Sequence, residues 1–446
     1  MPTFADFARS FEAGARSRDL VEQCLARIAA PDGEGSRAFL KVHADQARAA
    51  ADLHDTMRRS GAPASPFAGI PVSIKDLFDM AGDVTTAGSR VLRDASPATR
   101  DAPAVSRLRA AGFIPIGRTN MTEFAFSGLG INPHFGTPAN AYDRANVRIP
   151  GGSSSGAAVS VTDGMAVAAL GTDTGGSCRI PAALCGLVGF KPTANRVPLD
   201  GAVPLSTSLD SIGPIATSVA CCAVLDAVLA GEEVRPLRDF PLNGLRLAVP
   251  QTLVFDGIDS DVGRAFTVAR TALSEAGAKI VDIPLRELSE LAQINRKGGF
   301  GAAEAYASHR PLIEAKAALY DPRVLSRILR GREQDAADYI DLMRARADFI
   351  RRVRAAVAPF DALLLPTVPI VAPRIADLDD EIAYRDVNLL LLRNPTIANF
   401  LDACAISLPC HQPGEAPVGL MLIGHNGGDQ RLFDIAAAVE GLLTAG

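Results

Sequence analysis

Short apolar runs bounded by glycine or proline recur along the chain, and their length and pattern predict buried β-strands. Segments of helical periodicity separate them, and several begin at serine or aspartate and end at glycine, as helix caps require. Strands that alternate with helices predict an α/β fold with a largely parallel, helix-covered sheet. The predicted strands are residues 69–74, 112–117, 164–171, 245–250, 278–283, 361–366 and 417–424, and the clearest helical segments are 17–30, 101–112, 259–277 and 338–357.

Two clusters of glycine and serine flank one of these predicted strands, the run at 164–171. The first cluster is Gly-Gly-Ser-Ser-Ser-Gly at 151–156, and the second is Gly-Gly-Ser at 175–177. In open α/β sheets, ligands bind in the loops at the carboxyl ends of the strands. Both clusters are therefore candidates for functional loops.

The second cluster has the composition of an anion-binding loop. Gly175 and Gly176 can adopt a positive φ, which turns successive backbone N–H groups into one concavity. Beside the hydroxyl of Ser177, such a concavity is the kind of oxyanion hole that acyl transfer needs. A plain tight turn has the same sequence, so this cluster alone does not decide between the two.

The first cluster has several interpretations. No Lys-Ser/Thr pair follows its second glycine, so it lacks the pattern of a phosphate-binding loop. Residues 152–156 match the nucleophile elbow G-x-S-x-G of α/β-hydrolases, which would make Ser154 the nucleophile and require a histidine downstream. His309, His411 and His425 are available for that role. A flexible surface loop, or a serine that works with a different base, are the remaining interpretations.

A candidate for that different base is found upstream. Lys75 directly follows the apolar run 69–74 and would lie at the carboxyl end of a buried strand. A serine hydroxyl is a weak nucleophile until a base takes its proton, and lysine is such a base only where burial lowers its pKa. Lowering that pKa by about 3 units requires about 4 kcal/mol of differential environment. Taken alone, Lys75 would be a lysine that extends from a strand end into solvent.

Lys75 does not stand alone, because it belongs to a set of four motifs: PVSIKD (71–76), GGSSSG (151–156), GTDTGGSCRIPAALCGLVGFKPT (171–193) and SLDSIGPIATS (208–218). In this order and at this spacing, the motifs resemble the amidase signature family of Ser-cisSer-Lys hydrolases. The close resemblance covers about residues 65–225, and weaker similarity follows at 361–373 and 399–424. It implies a large mixed, mostly parallel sheet with helices on both faces. The whole chain, 1–446, would then be one domain, with covering and substrate-specificity elements in 226–446.

The resemblance also implies an activity and assigns its residues. The chain would hydrolyse a small carboxylic amide to an acid and ammonia or an amine. Ser177 would be the acylated nucleophile, Ser153 a bridging serine in a cis peptide bond, and Lys75 the terminal base. The oxyanion hole would consist of the backbone N–H groups of Thr174, Gly175, Gly176 and Ser177.

Further candidates lie close to these residues in the sequence. Asp173 and Arg179 flank the nucleophile, and we expect an ion pair that fixes the loop, although Arg179 could instead bind a substrate carboxylate. Cys178 follows the nucleophile, and we expect it to pack rather than to react. The remaining side chains that would line the site are Asn120, Ser127, His134 and Ser154.

The composition limits the partners and the cellular location. A formal net charge of -5 without a basic cluster does not favour nucleic acid or a membrane surface as a partner. Seven cysteines without a C-x-x-C pair, and an N-terminus unlike a secretory signal, predict a reducing cytoplasm. Six scattered histidines offer little to zinc, so we expect neither a metal nor a cofactor. The expected partner is a small-molecule amide, and a homodimer is left open.

Three other functions are left open by the sequence. Within the same family, the chain could be the glutaminase (A) subunit of a tRNA-dependent amidotransferase, which requires partner chains. Outside it, an α/β-hydrolase esterase would use Ser154 and a histidine. A non-enzymatic binding module would have no reason to keep Lys75, Ser153 and Ser177 together. We expect substrate choice to depend on residues 226–360.

Overall fold

The computed structural model describes residues 2–445 of the protein. Its β-strands are β1 (Phe39–Val42), β2 (Pro71–Lys75), β3 (Ile114–Thr119), β4 (Ala168–Thr172), β5 (Val188–Lys191), β6 (Ile212–Ala216), β7 (Arg246–Pro250), β8 (Lys279–Ile283), β9 (Ala362–Pro366), β10 (Ala405–Pro409) and β11 (Gly419–Ile423). All of them belong to one 11-stranded sheet in the order β1-β3-β2-β4-β6-β5-β10-β11-β9-β7-β8. The large mixed sheet with helices that the sequence predicts is therefore confirmed.

Helices connect most of these strands. The α-helices are α1 (Phe4–Glu12), α2 (Ser17–Ile28), α3 (Gly35–Ala38), α4 (Ala44–Arg59), α5 (Pro103–Ala110), α6 (Ser155–Thr162), α7 (Arg179–Cys185), α8 (Val219–Ala230), α9 (Ser260–Glu275), α10 (Leu291–Ile294), α11 (Gly299–Lys316), α12 (Pro322–Leu329), α13 (Ala336–Val357), α14 (Glu381–Phe400) and α15 (Asp429–Ala445). Short 3-10 segments are Glu123–Ala125, Arg144–Asn146, Arg286–Glu290, Ala317–Leu319, Arg330–Glu333 and Ile375–Leu378. Each helix of residues 2–445 is too short or too polar to cross a membrane.

Helices cover both faces of the sheet, as the alternation of side chains along a strand shows. Successive residues of a strand point to opposite faces. In β11, Leu420 and Leu422 pack in one hydrophobic cluster with α9 and α15. Met421 and Ile423 pack in another, together with α13 and α14. Strand β11 is consequently buried and apolar throughout rather than alternating.

Parallel and antiparallel pairs occupy different parts of the sheet. The pairs β2–β3, β2–β4, β7–β8 and β7–β9 are parallel. Between these groups the central pairs, from β4–β6 to β11–β9, are antiparallel. The parallel share is smaller than strand–helix alternation predicts, because β10 and β11 follow one another without a crossover helix.

The parallel pair β2–β4 positions the candidate site. Ile74 of β2 lies opposite Leu170 of β4, so the carboxyl ends of both strands meet at one edge. Lys75 ends β2, and Thr172 ends β4. The loop that contains Ser177 follows β4 directly, and α6 and α7 begin at Ser155 and Arg179 beside these strand ends.

Candidate active site

Lys75 is a fully buried lysine whose amino group contacts two hydroxyl groups. Its Nζ donates hydrogen bonds to Ser153 Oγ and to Thr172 Oγ1, each at 2.7 Å. Its exposed fraction is 0%. Burial disfavours the ammonium form and lowers the pKa of Lys75 to about 8, although Asp173 and Asp210 act in the opposite direction. At pH 7 about a tenth of the amino group is therefore neutral, far more than for a lysine with its usual pKa.

The loop of Ser153 approaches other backbone closely. The peptide bond between Gly152 and Ser153 is cis, as the resemblance implies. A Cβ at Gly152 would meet the backbone nitrogen of Gly130 at 2.6 Å, so a side chain at this position would collide with that loop. The carbonyl of Ser153 accepts the N–H of Thr122 at 3.1 Å, which fixes the loop on its other side.

Ser177 lies beside that loop. The N–H of Ser154 donates to the Ser177 carbonyl at 3.3 Å, so the two glycine-serine loops are in contact. Ser177 is only 3% exposed and lines a cavity of about 670 Å³. Within the described residues, its hydroxyl makes no hydrogen bond. Of Lys75, Ser153 and Ser177, it is Ser177 that lines this cavity.

The backbone around Ser177 has unused donors. Among residues 2–445, the N–H groups of Thr174, Gly175 and Ser177 have no hydrogen-bond partner. The N–H of Gly176 instead donates to Asp173 Oδ1 at 2.9 Å. Thr174, Gly175 and Ser177 line the cavity, and Gly176 does not. The oxyanion hole predicted from four residues therefore has three available donors in this structure.

Asp173 and Arg179 form the buried ion pair that the sequence predicts. Arg179 Nη2 lies 2.8 Å from Asp173 Oδ1, and both side chains are fully buried. Asn399 also donates to Asp173 at 2.9 Å. Burial alone would raise the pKa of Asp173, but the charge and hydrogen bonds of Arg179 and the Asn399 amide lower it to about 2. Because Arg179 is absent from the cavity lining, it serves the loop rather than a ligand there.

The other predicted side chains divide into two groups. Ser127 lines the cavity, and its hydroxyl donates to Asn388 Oδ1 at 2.9 Å. Asn120 instead donates to the carbonyls of Arg37 and Gly136, away from the cavity.

Three further candidates also point away from the cavity. His134 contacts the buried carboxylate of Glu123, and Ser154 is buried beneath its own loop. Cys178 is also buried, and burial raises the pKa of its thiol, which agrees with a packing role.

The histidines that an esterase would need bind other groups. His309 Nδ1 lies 2.9 Å from the Tyr320 hydroxyl. His425 Nε2 lies 2.8 Å from the carbonyl of Phe360, and His411 Nδ1 accepts the N–H of Val418. In the part of the chain that the structure describes, no histidine forms a hydrogen bond with Ser154, and no cluster of side chains could hold a metal ion.

Sequence reasoning missed several polar groups near the site. Thr172 could have been noticed, because it lies in the motif 171–193 and directly follows the predicted strand 164–171. Arg327 and Asn388 gave no such signal, since α12 and α14 bring them to the cavity from distant parts of the chain. The cavity contains four arginines and one carboxylate: Arg323, Arg327, Arg330, Arg385 and Glu381.

Comparisons with known proteins show the family of the chain. The model of the Amidase family matches residues 19–433. The 2-amino-5-chloromuconic acid deaminase of Comamonas testosteroni is 38% identical over 409 residues, which cover 90% of this chain and 87% of that protein. The glutamyl-tRNA(Gln) amidotransferase (A) subunit of Synechococcus sp. (strain CC9311) is 35% identical over 476 residues, with 98% and 96% coverage.

Solved structures lead to the same family. The crystal structure of an amidase matches this fold with a TM-score of 0.89 and 32% identity, and the match covers 99% of both chains. The predicted resemblance is thereby confirmed over almost the whole length. The chain belongs to the amidase signature family, and it is an amide-hydrolysing enzyme.

Proposed function

We propose that the chain hydrolyses a small amide through an acyl-enzyme on Ser177, with Ser153 and Lys75 as its proton relay. The observation that supports this proposal is the buried Lys75 amine, 2.7 Å from Ser153 Oγ, at the base of the loop that presents Ser177 to the cavity. Thr172 accepts a second hydrogen bond from the same amine and so orients it. A neutral amine in this position is a competent terminal base.

In the first half of the reaction, Ser177 Oγ bonds to the amide carbon. Its proton passes to Ser153, and the proton of Ser153 passes to Lys75. The carbonyl electrons move to oxygen, where the N–H groups of Thr174, Gly175 and Ser177 stabilise the charge. The C–N bond then breaks, and the leaving nitrogen takes a proton back through the relay.

In the second half, water attacks the ester on Ser177. The relay takes a proton from the water and returns one to Ser177 Oγ as the acid leaves. Each half-reaction thus restores Lys75 to its neutral form. None of these steps requires a nucleic acid, so we propose that the substrate is a small molecule, which the cavity of about 670 Å³ can enclose.

Arg327 indicates the substrate class. It lines the cavity, and among the described residues it has no carboxylate partner. Its only hydrogen bond there goes from Nη1 to the carbonyl of Phe126. The Asn388 amide nitrogen, in the same wall, likewise donates no hydrogen bond within residues 2–445. We therefore propose that the amide substrate carries a carboxylate, which Arg327 binds; a relative named for an acid, the chloromuconic acid deaminase, agrees with this.

Paired substrates test this proposal. One amide of each pair carries a carboxylate, and the other carries an uncharged group of similar size. Arg327→Met should raise KM for the charged amide about ten- to a hundredfold, because it removes a charge-assisted hydrogen bond. KM for the neutral amide should hardly change. Arg330→Met, at the exposed rim of the cavity, is the matched control. If Arg327→Met changed KM equally for both amides, carboxylate recognition would be rejected.

The second candidate function is the glutaminase subunit of a tRNA-dependent amidotransferase. It is supported by the Synechococcus amidotransferase chain, whose alignment covers almost the whole of this one. Glutamine is itself an amide that carries a carboxylate, so the site alone does not separate the two functions. The purified chain should hydrolyse amides other than glutamine without a partner. Activity that appears only after partner chains are added would favour the amidotransferase role instead.

We also propose a cytoplasmic location. All seven cysteines are free and buried, and a reducing compartment keeps such thiols intact.

A further inference from the structure

Glu123 is a fully buried carboxylate on which three separate segments converge. Its Oε1 accepts hydrogen bonds from the Ser89 hydroxyl at 2.6 Å and from His134 Nε2 at 2.8 Å. Its Oε2 accepts the backbone N–H of Asp321 at 2.7 Å. The exposed fraction of Glu123 is 0%, and it is absent from the cavity lining. The carboxylate therefore connects parts of the protein and does not face a ligand.

One of those segments is the start of the helix that carries Arg327. Asp321 is the N-cap of α12. Near the other end of α12, Arg327 donates to the carbonyl of Phe126, three residues after Glu123. The helix is thus attached to residues 123–126 at both its start and its end.

Aromatic packing reinforces the same attachment. Phe124 lies against the ring of His309, with 4.4 Å between ring centroids, and His309 bonds to the Tyr320 hydroxyl. Tyr320 immediately precedes the N-cap of α12. The packing is largely non-directional, whereas the Glu123 bond fixes one backbone N–H to one oxygen. The hydrogen bond is therefore what sets the position of the helix start along its axis.

We infer that Glu123 is a positioning residue that sets substrate preference by holding α12, and with it the guanidinium of Arg327, against the cavity. This inference rests on the proposed function, in which Arg327 binds a substrate carboxylate. A helix transmits a shift of its first turn to the residues further along it, because its backbone hydrogen bonds make it stiff. Loss of the Glu123 bond should consequently weaken binding of the charged group and leave the chemistry at Ser177 intact.

The substitution Glu123→Gln tests this with little change in volume. A glutamine offers the Asp321 N–H a neutral oxygen in place of a charged one, and its NH2 group donates to the Ser89 hydroxyl or to a neutral His134 ring, so the bond to Asp321 loses its charge assistance. We expect KM for the carboxylated amide to rise about tenfold, with kcat for the neutral amide unchanged. Ser89→Ala is the matched control, because it removes a bond to the same carboxylate but leaves Asp321 held.

A double-mutant cycle separates this inference from the proposed function. If Glu123 acts through Arg327, adding Glu123→Gln to the Arg327→Met variant should have little further effect on KM for the carboxylated amide. Additive effects would overturn the inference. If Arg327→Met itself does not distinguish the two amides, the proposed carboxylate recognition fails instead.

A second pair of variants changes Asp321, which donates the bond, and leaves Glu123 in place. This is needed because a substitution at Glu123 also affects its neighbour Thr122, whose N–H bonds to the carbonyl of Ser153. Asp321→Pro removes the N–H that Glu123 accepts, and the φ of -60° at Asp321 suits proline. Asp321→Ala keeps that N–H, and both variants lose the side-chain cap equally. The proline variant should have the higher KM for the carboxylated amide only. Equal values in the two variants would overturn the inference even if Glu123→Gln fails to fold.

Discussion

Lys75 Nζ lies 2.7 Å from Ser153 Oγ in a place that solvent does not reach. This distance is that of a strong hydrogen bond, and burial makes the neutral amine accessible near neutral pH. Both properties come from the strand that ends at Lys75 and the loop that folds over it. In the proposed mechanism, this contact is the step by which the proton of the nucleophile reaches its terminal base.

Ser177→Ala should lower kcat/KM by at least about a thousandfold, because it removes the atom that the proposed mechanism acylates. Ser154→Ala is the matched control one loop away, and it should keep activity within about tenfold of the original enzyme. Steady-state hydrolysis of one amide measures both variants. The reverse pattern would support the α/β-hydrolase elbow.

Activity should rise with pH as Lys75 loses its proton. Its pKa is lowered to about 8, so the ammonium form, which cannot accept a proton, predominates below that pH. A profile of kcat/KM between about pH 6 and pH 9 should rise and then level off near the pKa of Lys75. A flat profile would contradict a lysine base, and Lys75→Met should give low activity that does not follow this rise.

Thr172→Val should move that pH profile to lower pH. The threonine hydroxyl accepts a hydrogen bond from the Lys75 ammonium, which stabilises the charged form, so its removal lowers the pKa further. The maximal rate should also fall, because the amine is less well oriented. An unchanged midpoint would show that Thr172 has no influence on the titration.

Asp173→Asn should reduce the free energy of unfolding by about 3–5 kcal/mol, because it leaves the Arg179 charge buried without its partner. Denaturant unfolding followed by circular dichroism measures the change. Asp341→Asn, in an exposed pair with Arg344, is the control and should leave stability nearly unchanged. A similar stability for both variants would contradict a structural role for the buried pair.

Single replacement of His309, His411 or His425 should leave catalysis in place, because none of the three bonds to Ser154 or Ser177 in the residues that the structure describes. Each histidine is replaced by glutamine, and turnover is compared with folding by circular dichroism. Loss of turnover in a well-folded variant would support a histidine base.

The sequence was sufficient for the strands that follow simple patterns. The run 69–74 and six others are strands in the structure. Strand β6 was missed, because Gly213 and Pro214 are typical turn residues and proline is rare inside a sheet. Strand β10 was missed as well, since only four residues separate it from the end of α14 and none of them is a glycine or proline that would mark a turn.

The site divides in the same way. Lys75, Ser153 and Ser177 lie on short motifs next to strand ends, and the resemblance of these motifs to a known family assigned roles that stay predictions. The roles proposed for Arg327 and Glu123 had no signal in the sequence, because they depend on how α12 folds against residues 123–126. Such long-range packing leaves no periodic pattern in the chain.

The most direct test of the relay is the pH dependence of Ser177 phosphonylation by a fluorophosphonate, with the modified peptide identified by mass spectrometry. The account predicts a label on Ser177 alone. The rate of labelling should increase as the pH is raised to the pKa of Lys75, and it should be very low in Lys75→Met. A label on Ser154, or an equal rate in Lys75→Met, would contradict it.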